Sequence, residues 1–561
     1  MQAQYDVIIL GGGLAGLTLS IQLKRSKPDI KILVLERREG MAATAAHKVG
    51  ESTVELGSHY LREVLNQKEY LEAHELPKHG LRFFFKSHSK ENITSRVELG
   101  PRERLPAPSH QLDRGTLENH LAQHTQTLGT DFRINATVKD VAFGDQAHTV
   151  TYLEAGKEMK ATARWVADAT GRGSFIKRKL SFQKPMEHHV NAVWWRLKGV
   201  IDIDNWSDDM TWKTYLKPGL RYLSTVHFMD KGYWLWVIPL GSGNTSIGIV
   251  ADPAVHPFET FNKYEKAVEW LKINEPLGYK MLEPETKNLM DFKILKHYSH
   301  HTGRIYCSED RWGVTGEAGA FLDPLYSPGT DFIGMNNSWL SDLILRELAG
   351  ENIHTRAKIY EQSHLAMIDN WIPVYQNKYL LMGNAQIMVI KIFWDWAIYW
   401  SVNCLLFTNK ALTDLKIVKE LFAAQDSLGR KFGLLNKKMQ DLFLAWLPYQ
   451  TEIFENRYID PYDLAYMREF QLGLETQYDH STLLDKVAQN MNKLEQVAVA
   501  IFQLVSSQVH DTPPDMKVDP YKISLEAGAD VSPDDGIGII PTEETLADVN
   551  LMWFYDKKQY A

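Results

Sequence analysis

The first strong signal along the chain is an uninterrupted apolar run. Asp6-Val-Ile-Ile-Leu10 is short and β-branched, the pattern of a strand buried on both faces. Gly11-Gly-Gly13-Leu14-Ala15-Gly16 follows at once, and Leu17 to Arg25 places apolar residues at 17, 19, 21 and 23, which predicts a helix. Pro28 ends it, and Ile30 to Leu35 predicts a second strand closing at Glu36, so the opening forms one βαβ unit. The pattern changes over roughly 183–294. Aromatic-rich alternating stretches, Asn191 to Arg196 and Arg221 to His227, are separated by turns such as Gly241-Ser-Gly-Asn244, which predicts an antiparallel sheet. From about 333 to 510 the periodicity is helical, and Pro513-Pro514 opens a polar, Pro- and Asp-rich tail to which no structure is assigned. Tyr379 to Phe407 is very apolar, with Trp394, Trp396 and Trp400. Gln386, Lys391, Asp395 and Asn403 interrupt it, so a buried helix pair is favoured over a helix lying at a membrane surface.

Length and charge narrow the class. A chain of 561 residues allows three or four domains and a large core without staples. The net charge is −8 with no basic block, which argues against a nucleic-acid partner. Cys307 and Cys404, the only cysteines, have no metal-binding or disulfide spacing, so no metal is expected. The N-terminal run does not have the form of a signal peptide, and a cytoplasmic location is the expectation.

The glycine turn carries the first chemistry. Gly11 permits a tight turn, Gly13 lets the backbone approach a pyrophosphate, and Gly16 lets helix and strand pack closely. The helix N-terminus offers free N–H groups to the phosphates, and Glu36 is placed to accept from a ribose hydroxyl. On this evidence the ligand is NAD or FAD.

Other segments bring in a family resemblance. Gln111-Leu-Asp-Arg114-Gly-Thr-Leu117 resembles the helix-opening segment of group A flavoprotein monooxygenases, and Trp165-Val-Ala-Asp168-Ala-Thr-Gly171 their Ala-Thr-Gly turn. Arg311-Trp-Gly-Val-Thr-Gly316-Glu317-Ala318 resembles their third flavin motif, with Glu317 in place of the usual Asp. Trp234-Leu-Trp236-Val-Ile238-Pro239 and Phe321-Leu-Asp-Pro324-Leu-Tyr-Ser327-Pro328-Gly329 match the two signatures of flavin-dependent halogenases, although a core strand would also favour the first. Lys48-Val-Gly50-Glu51-Ser52-Thr53, then Leu76-Pro77-Lys78-His79-Gly80-Leu81-Arg82-Phe83, place Lys78 on the position of that family's catalytic lysine, with Lys48 as the lesser candidate.

The resemblance implies an α/β fold. An FAD-binding three-layer Rossmann-like domain would comprise 1–182 and 295–345, with a substrate-side antiparallel sheet at 183–294, a helical region at 346–510 and a polar tail at 511–561. It implies that FAD is held by Gly11, Gly13, Leu14, Ala15, Gly16, Glu36, Arg37, Ser52, Arg114, Asp168, Gly171, Gly316, Glu317, Pro324 and Gly329. It places Trp234, Trp236, Pro239, Phe321, Ser327, Pro328 and Gly329 along the halide site or tunnel. The implied reaction starts from FADH2 supplied by a separate flavin reductase. Oxygen and chloride or bromide then yield hypohalous acid, which Lys78 delivers either as a hydrogen-bonded acid or as a haloamine. Tryptophan halogenases carry Glu where this chain has Tyr326, so a phenol- or pyrrole-like ring, free or tethered to a carrier protein, is the expected substrate. Asp323, Glu51 and His79 are the candidates to take the proton. A monooxygenase or dehydrogenase of the same fold without halogenation, or a non-catalytic flavin-binding partner, are the alternatives.

Overall fold

Val7, Ile8, Ile9 and Leu10 are fully buried because their strand, Tyr5–Leu10, is flanked on both edges and covered on both faces. It pairs in parallel with Lys157–Asp168 on one side and Ile32–Leu35 on the other. Asp131–Arg133 extends the sheet beyond Ile32–Leu35, and Trp312–Val314 extends it beyond Lys157–Asp168. The helix Leu14–Ser26 packs on this sheet and against two others, Arg114–Thr127 and Gly329–Leu348. The computed structural model describes residues 4–43, 50–104, 106–422, 427–510, 516–533 and 538–554.

A second eight-stranded sheet faces the first. Its centre is antiparallel: Leu289–Leu295, Asn191–Lys198, Asn244–Ala251, Tyr233–Pro239 and Thr225–Asp230, in that spatial order. The sheet is nevertheless mixed, which the sequence did not suggest. Leu81–Phe85, from far upstream, joins in parallel beside Thr225–Asp230, and Tyr458–Ile459 joins in parallel beside Glu98–Leu99. Leu81-Arg-Phe-Phe-Phe85 is buried throughout, so a position inside the sheet suits it better than an edge.

The alternation along these strands sends side chains to two cores. Trp194, Trp234, Trp236 and Val250 face the central core, while Trp195, Leu235, Val237 and Ile249 face a separate cluster closed by the helices Tyr264–Asn274 and Pro276–Leu282.

One expectation for the C-terminal half is corrected. Tyr379 to Phe407 is not a helix pair. Ala385–Ile398 continues through a π-helical segment, Tyr399–Cys404, into Leu405–Thr408. Every residue of Ala385–Ile398 is buried in protein, so it does not lie at a membrane surface. Its polar residues have internal partners: Gln386 bonds Met552 and Phe554, and Lys391 pairs with Asp395. Among the described residues no helix is long and apolar enough to cross a membrane. The tail, to which no structure was assigned, carries a helix at Glu543–Leu551, and the buried side chains of Val518, Met552 and Phe554 dock it on the helical region.

Candidate active site

The glycine turn forms one end of a groove of about 680 Å³. Gly11 has φ +107°, and a Cβ there would sit 2.4 Å from the Ala169 carbonyl oxygen. A Cβ on Gly16 would meet the Gly11 oxygen at 2.0 Å. Both positions therefore require glycine. The helix Leu14–Ser26 begins at Gly13 with no side-chain cap and no acid in its first turn, and Leu14 and Ala15 line the groove. Open N–H groups at an uncapped helix start suit a pyrophosphate.

The surrounding residues build the rest of the cradle. Glu36 accepts from the N–H groups of Gly12 (2.8 Å) and Arg38 (2.9 Å) while it lines the groove. Arg37 is exposed on the rim, and Arg38, which sequence reasoning missed, lines the groove beside it and donates to the Gly12 carbonyl at 3.1 Å. Ser52 shares a hydrogen bond with Thr225, and Arg114 donates to the Gly50 carbonyl and to Glu118. Gly171 and Gly316 turn with φ +59° and +60°, and Glu317 lies between these two turns.

Asp168 plays a different part from the one expected. It is fully buried, and its carboxylate accepts from Thr170 and from the Ile176 N–H. It holds the turn whose residues Ala169 to Gly173 line the groove.

The groove is also walled by Trp234, Trp236, Phe321, Pro324, Ser327, Pro328 and Gly329. Trp234 Nε1 donates to the Tyr379 hydroxyl (3.0 Å), which donates to Asp323 (2.6 Å). Trp236 Nε1 donates to Ser246. Pro239 ends its strand opposite Thr245, buried and away from the groove lining. Ser327 adopts φ +57°, a left-handed conformation that non-glycine residues seldom take and that marks a tight turn at the groove wall.

Behind this wall lies a second cavity with about 50 Å³ of free space, lined largely by apolar side chains. Pro328 and Phe332 border both spaces. Lys78 is buried beside the inner one, behind the lining residues Glu55 and Ser109, and lines neither space itself. It ends the strand Leu76–Lys78, paired opposite Ser109, and its Nζ donates to the Thr53 carbonyl at 2.7 Å. Glu55 and Asp331 face the cavity close enough to act on this lysine. Burial pushes the Lys78 ammonium down to about 7, against the upward pull of these two carboxyls. Burial likewise raises Asp331 to about 8 and shifts Glu55 upward, although Asp331 accepts from the Gly57 N–H.

The three proton acceptors suggested by sequence stand elsewhere. Glu51, pushed up to about 7 by burial, pairs with Arg196 at 2.8 Å on the groove side. Asp323 bonds His188 (2.8 Å) and accepts from Tyr379 and the Leu325 N–H. Burial and nearby arginines hold His79 down at about 4, and His79 lines neither space. Glu55, Asp331 and Asp395 are the carboxyls of the inner cavity. Lys48 lies outside the described residues.

Comparison with known proteins agrees with this geometry. The family described as FAD binding domain matches residues 4–246. The flavin-dependent halogenase chlA of Dictyostelium discoideum is 27% identical over 440 residues, 71% of this chain and 70% of the relative. A 1H-pyrrole-2-carbonyl-[peptidyl-carrier protein] chlorinase of Pseudomonas fluorescens is 23% identical, over 65% of this chain and 82% of its own length. In fold, the crystal structure of halogenase PltM in complex with phloroglucinol and FAD superposes with a TM-score of 0.61 at 16% identity, covering 90% of this chain and 97% of that one. The chain thus carries an FAD-binding domain and is similar over most of its length to flavin-dependent halogenases, which are oxidoreductases.

Proposed function

We propose that this protein halogenates an electron-rich, phenol-like ring in secondary metabolism, using Lys78 as the halogen carrier. The observation that supports this most is the burial of Lys78 beside a cavity that, among the described residues, shares only Pro328 and Phe332 with the flavin groove. In this reading residues 1–182 with 295–345 hold the cofactor, 183–294 form the substrate-side sheet, and 346–510 close the inner cavity.

The glycine turn, the uncapped helix start and Glu36 would hold FAD, which, delivered reduced by a separate reductase, supplies hypohalous acid from oxygen and chloride or bromide. Trp234 and Trp236 keep an organic ring away from that end. Hypohalous acid that reaches Lys78 meets an amine that desolvation has partly freed of its proton. The nitrogen lone pair takes the halogen as the halogen–oxygen bond breaks. The departing hydroxide removes a proton from nitrogen and leaves as water. The haloamine then gives its halogen to the ring, and the ring proton returns to the nitrogen, restoring the amine. Fixed placement supplies the selectivity that free hypohalite lacks.

The test is mass spectrometry of a turnover mixture holding the FAD-loaded protein, a flavin reductase, bromide and a panel of phenols and pyrroles. Brominated product that requires bromide supports the reading. Hydroxylated or desaturated product without halide dependence overturns it.

A further inference from the structure

Tyr326 sits where tryptophan halogenases carry Glu, and the structure gives it a carboxylate from another part of the chain. Its hydroxyl donates to Asp395 Oδ2 at 2.7 Å. The same oxygen accepts from Lys391 Nζ at 2.5 Å, and Asp395 Oδ1 accepts from Gln440 Nε2 at 2.7 Å. Asp395, Lys391, Gln440 and Tyr326 are all buried, and both Tyr326 and Asp395 line the inner cavity beside which Lys78 stands.

The direction of these bonds matters. A tyrosine hydroxyl has one proton and two lone pairs. The Tyr326 proton is committed to Asp395, and burial with the adjacent carboxylate raises this phenol well above its ordinary value, so it stays protonated. What it can still offer to the cavity is a lone pair. The complementary group is a hydroxyl donor, and an aromatic hydroxyl fits best because its acidity matches that of the tyrosine that receives it. A pyrrole N–H is a much weaker acid and matches less well.

We infer that Tyr326, backed by the Asp395–Lys391 pair, is the subsite for the hydroxyl of a phenolic substrate and the first acceptor of its proton. As the halogen bonds to the ring carbon, the substrate O–H proton passes to Tyr326 Oη and the Tyr326 proton passes to Asp395. The ring becomes a halogenated dienone. When the ring C–H proton then leaves to the Lys78 nitrogen, which gave up its halogen one proton short of the amine, the amine is restored, Asp395 and Tyr326 return their protons and the halophenol forms. Tyr326 touches the substrate, and Asp395 acts through it. The free space of about 50 Å³ is smaller than the roughly 150 Å³ cavity that holds benzene. Side chains of the lining must therefore shift to admit a ring.

This inference rests on the proposed function, so its test has two arms. In the first, phenol, anisole and pyrrole are titrated into the oxidised, FAD-loaded protein and into Tyr326→Phe, with binding followed by calorimetry. The wild type should prefer phenol to anisole by about tenfold or more, the scale of a hydrogen bond in a charge-backed network. Tyr326→Phe should lose that preference while flavin content and melting temperature hold. No preference in the wild type, a preference that survives in Tyr326→Phe, or a pyrrole preference lost in its place overturns the subsite. In the second arm, product yield with bromide and reductase should fall about 100-fold in Tyr326→Phe while flavin reoxidation continues. Unchanged yield in that variant overturns the subsite and leaves the halogenase reading intact. Absence of any halogenated product from the wild type, with the binding preference as expected, removes the halogenase reading and supports the hydroxyl subsite alone.

Discussion

Lys78 Nζ is anchored by a 2.7 Å hydrogen bond to the backbone carbonyl of Thr53. Thr53 belongs to an extended segment that joins the two cavities. Just before it, Glu51 and Ser52 line the flavin groove, and just after it Val54 and Glu55 line the inner cavity. Lys78 is thus positioned by main chain that runs from one compartment to the other, and its placement does not depend on a flexible side-chain partner.

Loss of this amine should separate the two halves of the reaction. Lys78→Ala removes the acceptor without touching the groove, so flavin reoxidation should continue and product should drop by about two orders of magnitude. Lys78→Arg should fail nearly as badly, because a guanidinium stays protonated and is too long and planar for the same seat. Lys48→Ala should keep product near the wild-type level. Product and flavin reoxidation measured side by side check this. Wild-type yield from Lys78→Ala would remove the lysine from the mechanism.

The lysine should also leave its mark on pH dependence. If the neutral amine takes the halogen, yield per hypohalous acid should rise with pH through about 7. Bromide is the halide to use, since hypobromous acid itself stays protonated well above that range. Flavin reoxidation should lack this limb. Stability should show the same group with a defined sign. An unfolded lysine keeps its proton up to about 10.5, whereas folded Lys78 loses it near 7. Between these values the unfolded chain binds more protons, so this group's contribution to stability rises with pH across that window. Asp331, raised to about 8, contributes the opposite slope from its ordinary 3.8 up to that value. Denaturant titrations at several pH values on the wild type and Lys78→Met should show a steeper rise between 8 and 10 in the wild type, since Lys378 and Lys177, also pushed down by burial, contribute the same sign in both proteins. A yield that falls as pH climbs through 7 would favour the protonated, hydrogen-bonding form of the lysine instead.

Local pattern explains which parts could be read from the sequence. The βαβ opening, the tryptophan strand and the glycine turn follow from short-range spacing, and each appears as an element at that place. The carboxyls around Lys78 do not. Glu55 and Asp331 meet because the helix Glu55–His59 packs on the start of Gly329–Leu348, nearly three hundred residues downstream. Asp395 reaches Tyr326 from a helix whose charges look like breaks in an apolar run, and only tertiary pairing shows why they are tolerated. The tail carries too little local pattern to be assigned a structure, yet a few apolar anchors among Pro and Asp are enough to dock it.

The seat of Trp236 offers a test of the groove wall that leaves both tryptophans in place. A Cβ on Gly248, directly across the sheet, would lie 2.2 Å from the Trp236 ring. Gly248→Ala should therefore push the indole out of position and break its bond to Ser246. If the ring separates flavin from substrate, Gly248→Ala and Trp236→Ala should both raise peroxide released per flavin oxidised by several-fold. Peroxide measured against halogenated product decides it. Full coupling in both variants would make Trp236 a packing residue only.

The buried pair Lys391–Asp395 should be expensive to break and cheap to replace. Both side chains are almost completely excluded from solvent, and they lie one helical turn apart. Lys391→Met leaves the Asp395 carboxylate without its cation while Tyr326 and Gln440 still donate to it. Breaking one side of such a pair costs about 3–5 kcal/mol, mostly the penalty of an uncompensated buried charge. Replacing both partners with apolar residues of similar size is often close to neutral. The expectation is that Lys391→Met lowers denaturant stability by about 3 kcal/mol and that Lys391→Met with Asp395→Leu recovers most of it. A structural role alone predicts that the double variant also recovers activity. The proton path through Asp395 predicts the reverse: the doubly substituted protein should fold, bind FAD and reoxidise flavin normally, yet give little halophenol. Chemical denaturation beside product yield distinguishes the two outcomes, and full activity in the stable double variant would confine the pair to packing.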